Sequence, residues 1–187
     1  AAQLLAVSGV SGGLGVSSLV VALAMRAAES GLRPAVVELA RCGGGLDLLF
    51  GAETQPGMTW EELRHAVGEV GDLTPHLVLA ERVSVLALGR PHGYPPDEAA
   101  LSAVLRSLER SHDIVVVDMG DGTRLAELGR RVASLLVVGA DVRSVAAARM
   151  QARRLDLAGA LLVVRAGRGR GLPPEAVADA LGLPLAG

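Results

Sequence analysis

The sequence predicts an α/β fold of three layers, a mostly parallel sheet of about seven strands with helices on both faces. Three observations carry this expectation. Short apolar runs alternate with helical patterns along the whole chain, as repeated strand–helix–strand units require. Glycines cluster directly between the first apolar run and the first helical pattern. The run Ile114 to Val117 is continuous and β-branched, as a strand buried on both faces should be.

Taken in order, Leu4 to Val7 reads as the first strand. A helix follows over Ser17 to Ser30, with Leu19, Val20, Leu23, Ala24 and Ala27 on one face and Gly31 as its C-terminal stop. Ala35 to Leu39 is the second strand, followed by a glycine loop (Cys42 to Gly45) and a short helical turn over Leu46 to Phe50. Thr59-Trp60-Glu61-Glu62 is a capping box opening a helix to about Val67. Val83 to Leu88 is a strand, while Leu77 to Ala80 fits either a strand or a helix end. Pro96 to Arg110 is a helix with proline in its first turn. After the Ile114 strand, closed by Asp118, the alternation continues through Leu125–Val132, Leu135–Val138, Ser144–Leu155 and Leu161–Val164. Pro174 to Leu181 is the last helix.

Composition narrows the function classes. The 187 residues suit one domain with a sizeable core. Half are apolar but only 2% aromatic, so that core must be built from Ala, Val and Leu. The net charge of -2 makes no electrostatic case for nucleic acid as a bulk partner. A single cysteine excludes an internal disulfide and suits a cytoplasmic setting. No apolar run approaches the ~20 residues of a membrane span. His65, His76, His92 and His112 lack ligand spacing, and Cys42 has no activating neighbour. Trp60 reads as packing or a partner contact. Arg149, Arg153 and Arg154 share a helix and read as a solvated face.

The informative stretch is Val10-Ser11-Gly12-Gly13-Leu14-Gly15-Val16-Ser17-Ser18. Strand, glycine turn, hydroxyl pair and helix follow in the order of a phosphate-binding loop. Gly12, Gly13 and Gly15 let backbone N–H groups converge, and the helix N-terminus adds partial positive charge. Yet Val16 stands where such a loop carries lysine. The chain has no lysine at all: its 18 basic residues are all arginines.

Ser11 to Ser18 resembles the deviant Walker A loop of the MinD/ParA class of P-loop ATPases, K-G-G-x-G-K-[ST]. In that alignment Ser11 replaces the signature lysine and Val16 the ordinary P-loop lysine. The segment Glu38-Leu39-Ala40 through Gly43-Gly44-Gly45-Leu46-Asp47-Leu48-Leu49-Phe50-Gly51 resembles the family's second-strand motif. There Glu38 replaces the first aspartate and Ala40 the second, which in the family helps place the attacking water. Asp113 to Asp118 resembles the Walker B strand, with Asp118 at the Mg²⁺-side aspartate. Asp118-Met119-Gly120-Asp121-Gly122 lacks the usual proline, and Asp121 is a candidate replacement acid. The glycine loop and Gly57-Met58-Thr59-Trp60-Glu61 resemble the CpaE/TadZ branch, closest to actinobacterial CpaE-like septum site-determining proteins.

The resemblance implies a nucleotide site at Gly12, Gly13, Leu14, Gly15, Val16, Ser17, Ser18 and Arg165. Ser17, Asp118 and Glu38 would hold Mg²⁺ if ATP binds. No catalytic residue is expected, because Ser11, Val16 and Ala40 replace the working groups. The leading expectation is a catalytically degraded scaffold that localises Flp/Tad-type pilus or secretion machinery, or regulates the septum site. Its partners would be itself, as a homodimer not strictly dependent on ATP, and proteins of those machines, with any membrane association indirect. The protein would be cytoplasmic, recruited to a pole or septum, and one domain of a longer chain with an N-terminal receiver-like domain. Two alternatives stand beside this. One is an ATP-binding or active switch in which Arg41, Arg165, Arg168 or Arg170 substitutes for the lost lysines. The other is a partition-type nucleic-acid-binding module.

Overall fold

The apolar periodicities fold into a seven-stranded sheet of order β3-β4-β2-β5-β1-β6-β7. A computed structural model describes residues 2–40, 44–89, 95–128, 132–155, 159–166 and 171–186. The strands are β1 (Gln3–Gly9), β2 (Pro34–Glu38), β3 (Val78–Ala80), β4 (Val83–Leu86), β5 (Ile114–Asp118), β6 (Ala133–Gly139) and β7 (Leu161–Arg165). The helices are α1 (Val16–Glu29), α2 (Leu46–Leu49), α3 (Trp60–Leu63), α4 (Glu98–Ser111), α5 (Val142–Leu155) and α6 (Pro174–Leu181). Every strand pair is parallel except β3 with β4.

Alternation along the central strands creates the layers. Val115 and Val117 of β5 pack with Leu101, Val104, Leu105 and Leu108 of α4. Val116, between them, packs on the other face with Val20 and Ala24 of α1. In β6, Leu135 and Val137 join the α1 cluster, while Leu136 and Val138 pack with Ala148 of α5 and Val177 of α6. The described core is aliphatic as expected, with Trp60 a fully buried aromatic within it.

Local chemistry fixes the helix ends. Gly31 has φ +84 and closes α1, its N–H donating to the Ala28 carbonyl. The capping box forms: Thr59 N–H donates to Glu62 Oε2 and Thr59 Oγ1 accepts from Glu61 N–H. That helix is a single turn ending at Leu63, not at Val67. Helix α4 begins at Glu98 rather than at the prolines, because Asp97 caps it by accepting from Ala100 N–H. Of the segment Leu125–Val132, the described part is a 3₁₀ turn, Leu125–Leu128, tightened by bonds to residues three back, and residues 129–131 lie outside the described residues. Residues 77–80 resolve as a strand, Val78–Ala80, paired antiparallel to β4.

Candidate functional site

A cleft of about 590 Å³ opens at the carboxyl ends of β1, β2 and β5. Open α/β sheets bind ligands at this edge, where neighbouring connections diverge to opposite faces. The glycine loop forms one wall. Gly13 (φ +78) and Gly15 (φ +81) adopt the left-handed conformations that the loop requires. Ser11 to Ser18 all line the cleft, together with Ala40, Gly44, Gly45, Leu48, Leu49, Asp118, Gly120 and Asp121.

Ser11 and Val16, the two positions where the resemblance expects lysine, differ. Ser11 is exposed at the tip of the loop. Val16 opens α1, and its Cγ2 lies 2.6 Å from where a Cβ on Gly9 would stand. The valine therefore packs back against the start of the loop, where a lysine would offer a mobile ammonium. Ala40 is buried, and its Cβ lies 3.0 Å from where a Cβ on Gly120 would stand. The backbone after β5 therefore packs directly on Ala40. Asp121 lines the cleft, but its Oδ1 accepts from Thr123 N–H and Oγ1 in a local turn.

The acids at the strand ends are unusual. Asp118 is fully buried; Oδ1 accepts from Gly120 N–H at 3.0 Å, and Oδ2 has no hydrogen-bond partner. Burial raises its pKa above the ordinary carboxylate value, against the opposing effects of the Ser17 hydroxyl and Gly120 N–H. Glu38 lies beside it in register on β2. Its Oε2 accepts from Leu88 N–H at 3.1 Å and Leu46 N–H at 3.3 Å, so it is turned onto backbone. Burial raises its pKa as well, the backbone donors oppose, and the charges of Asp118 and Asp47 add to the rise. Glu38 is not part of the cleft lining, whereas Ser17 and Asp118 are.

Arg165 comes to the loop from the end of β7. Its Nη1 donates to the Leu14 carbonyl at 2.7 Å, and the guanidinium covers Gly15 closely enough to exclude a Cβ there. It braces the loop from outside and does not line the cleft. Arg41, Arg168, Arg170, Cys42 and His92 lie outside the described residues. No Lys, Arg or His lines the cleft among the described residues.

The fit to ATP with Mg²⁺ divides in two. The backbone cradle, Ser17 and the unpartnered Asp118 oxygen suit a cation–phosphate group. The absence of a basic side chain in the described lining does not suit the outer phosphates, and Ala40 cannot place a water. The described residues therefore fit the cation–phosphate part of that group and supply no basic side chain for the rest of it, with Arg41 outside the described residues.

Other candidates resolve as structure. Trp60 Nε1 donates to the Glu38 carbonyl at 2.9 Å, a brace under the site that only its burial would have betrayed. His112 is buried, with Nδ1 on the Leu108 carbonyl and Nε2 on Ser84 Oγ. His65 pairs with Asp97 at the surface. No group of His, Cys, Asp and Glu could hold a metal among the described residues. Arg149 donates to the Ala180 carbonyl and ties α5 to α6, while Arg153 and Arg154 are exposed. Gln151, which sequence reasoning missed, donates to the Asp121 carbonyl and ties α5 to the cleft rim. No helix among the described residues is long and apolar enough to cross a membrane.

No established family profile matches the chain. Two uncharacterized proteins of Mycobacterium tuberculosis, Rv3660c of strain H37Rv and MT3760 of strain CDC 1551, are each 37% identical over 188 residues. The match covers 96% of this chain and 52% of each relative, so the chain spans about half the length of the curated relatives it matches. Among solved structures, the MinD cell division protein of Aquifex aeolicus superposes with a TM-score of 0.77 at 19% identity, covering 98% of this chain and 80% of that one. The cell division ATPase MinD of Pyrococcus furiosus gives 0.72 at 23%, covering 96% and 80%. A ParA family ATPase of Chlorobium tepidum gives 0.70 at 13%, covering 100% and 83%. The chain thus has the fold of the MinD/ParA P-loop ATPases.

Proposed function

We propose that this chain is a partner-binding scaffold of the MinD/ParA superfamily, in its CpaE/TadZ branch, that no longer turns over ATP. One observation carries the reading. In the cleft where that fold handles nucleotide, the described lining has no cation, and Val16 and Ala40 occupy the vacated positions with apolar contacts. Phosphoryl transfer is almost entirely positioning and charge stabilisation. Loss of a single stabilising donor costs about 10²–10³ in rate. Replacement at Ser11, Val16 and Ala40 together removes the engine while the loop's shape remains.

The work left to such a domain is recognition. A MinD of Aquifex aeolicus is known in a complex with MinC. By analogy, this domain would mark a place for a pilus, secretion or septum apparatus by binding its proteins and a second copy of itself. It would act from the cytoplasm, with membrane contact through partners. Steady-state ATP hydrolysis by the purified protein tests the reading. Turnover should equal that of Asp118→Ala; turnover well above it, abolished by that substitution, would overturn the proposal.

A second reading is favoured by Ser17 and the unpartnered Asp118 oxygen, which would suit an ATP–Mg²⁺ switch without turnover. Tight ATP–Mg²⁺ binding, lost in Ser17→Ala, would select it.

A further inference from the structure

The geometry points to the cleft as a receptor for a basic side chain, arginine or lysine, carried on an apolar segment of a partner protein. This rests on the scaffold reading and names the chemistry of what that site binds. Three observations converge. Asp118 is fully buried and lines the cleft; Oδ1 accepts from Gly120 N–H, the Ser17 hydroxyl acts on the same carboxyl, and Oδ2 has no hydrogen-bond partner of normal geometry among the described residues. A buried carboxylate oxygen in that state is destabilised until a proton or a cation reaches it. The second observation is the sign of the surroundings. Asp121 also lines the cleft and Glu38 is the register neighbour of Asp118 on β2, while no Lys, Arg or His lines the cleft among the described residues. A cation that reaches Asp118 meets complementary charge.

The third observation concerns the walls. Leu14 and Val16 of the loop and Leu48 and Leu49 of α2 also line the cleft. Leu48 and Leu49 are 47% and 50% exposed, unusually open for leucines that sit together at a cleft mouth. A volume of about 590 Å³ holds several side chains, more than one cation needs. An apolar residue flanking the basic one would cover the leucines, while the basic head reaches Asp118. Such a head group desolvates only if its charge is met, so Asp118 confers specificity and the leucines add contact area.

The test uses the whole chain and two peptides, acetyl-Leu-Arg-Leu-amide and its citrulline counterpart, which keeps the shape and removes the charge. Binding is followed through the methyl resonances of Val16, Leu48 and Leu49. The arginine peptide should shift them saturably, and the citrulline peptide should bind roughly tenfold more weakly or worse. Asp118→Asn should abolish the difference between the two peptides. Leu49→Arg, at an exposed site that leaves the core intact, should weaken the arginine peptide by a similar factor. Equal binding of the two peptides, or no effect of either substitution, would overturn the inference. So would saturation of the same methyls on concentrating the protein alone, which would make a second copy the occupant. If neither peptide nor ATP–Mg²⁺ binds, this inference fails and the scaffold reading stands. If ATP–Mg²⁺ occupies the cleft and is hydrolysed, the scaffold reading itself fails.

Discussion

Strand β5 is bounded by an aspartate at each end, and the two live in opposite circumstances. Asp113, just before the strand, is exposed and receives three hydrogen bonds from Arg33: one from its N–H, one from Nε and one from Nη2. Those donors hold its pKa down to about 2. Asp118, at the other end, is fully buried with one oxygen unpartnered, and burial pushes its pKa up. The contrast extends around each residue. Near Asp113, Asp72 accepts from Thr74 and Ser111, and His112 satisfies both ring nitrogens. Near Asp118, Glu38 is also displaced toward its protonated form. The amino edge of the sheet is built for stability, and the carboxyl edge carries the unsatisfied chemistry of a binding site.

The largest expected effect comes from adding cations at the carboxyl edge. Ser11→Lys together with Val16→Lys should raise ATP–Mg²⁺ affinity by about a hundredfold, since each charged hydrogen bond contributes ~1.5–3 kcal/mol. Calorimetric titration beside the parent chain checks this. An unchanged affinity would mean that the lysines are not what the cleft lacks.

Next in size is the stability of the two ends. Asp118→Asn keeps the acceptor for Gly120 N–H and removes a buried charge, so it should stabilise the fold at neutral pH by about 1–3 kcal/mol. Asp113→Asn should destabilise it, by breaking the Arg33 pair. Urea denaturation of both variants gives the signs, and equal signs would erase the comparison.

The ends should also respond oppositely to pH. Glu38 and Asp118 have folded pKa values above their unfolded ones. Their contribution is present below the unfolded value of about 4 and is lost as pH rises through the raised folded values. His112 has a folded pKa below 6.5, because burial disfavours its charged form. Its contribution is present above pH 6.5 and is lost as pH falls through the depressed folded value. Asp113 adds a further loss as pH falls toward about 2. Comparing the parent with His112→Gln across this range should isolate the histidine slope.

The smallest effect concerns the brace on the loop. Arg165→Ala should change stability by no more than about 0.5 kcal/mol, since the contact is exposed. It should nonetheless speed amide exchange at Gly13 and Gly15 by freeing the Leu14 carbonyl. Unchanged exchange would show that the loop holds its shape without Arg165.

The fold was legible in the sequence to the degree that periodicity was strong. The Ile114–Val117 run and the Val10–Ser18 turn placed β5 and α1 to within a residue at each end and β1 to within two. Residues 77–80 were ambiguous because the hairpin turn is Glu81-Arg82, both at positive φ and without the glycine or asparagine that usually marks such a turn. At Leu125–Leu128 the structure has a 3₁₀ turn, which shares its apolar spacing with an α turn over so short a stretch. At the site, the loop and Asp118 were legible from glycine spacing and the strand's closing acid. The roles of Trp60, Gln151 and Arg165 were not, since each acts through a backbone carbonyl distant in sequence. That Val16 and Ala40 fill space as well as lacking charge required the close approaches of Gly9 and Gly120.

The central claim is that this cleft has lost the charges that hold and turn over a triphosphate. It is tested most directly by titrating the protein with ATP–Mg²⁺ while reading the Val16 methyl resonance. No saturable shift through the millimolar range is predicted, against clear saturation in the chain carrying Ser11→Lys and Val16→Lys. Saturable binding by the parent chain in the micromolar range, abolished by Asp118→Ala, would contradict it.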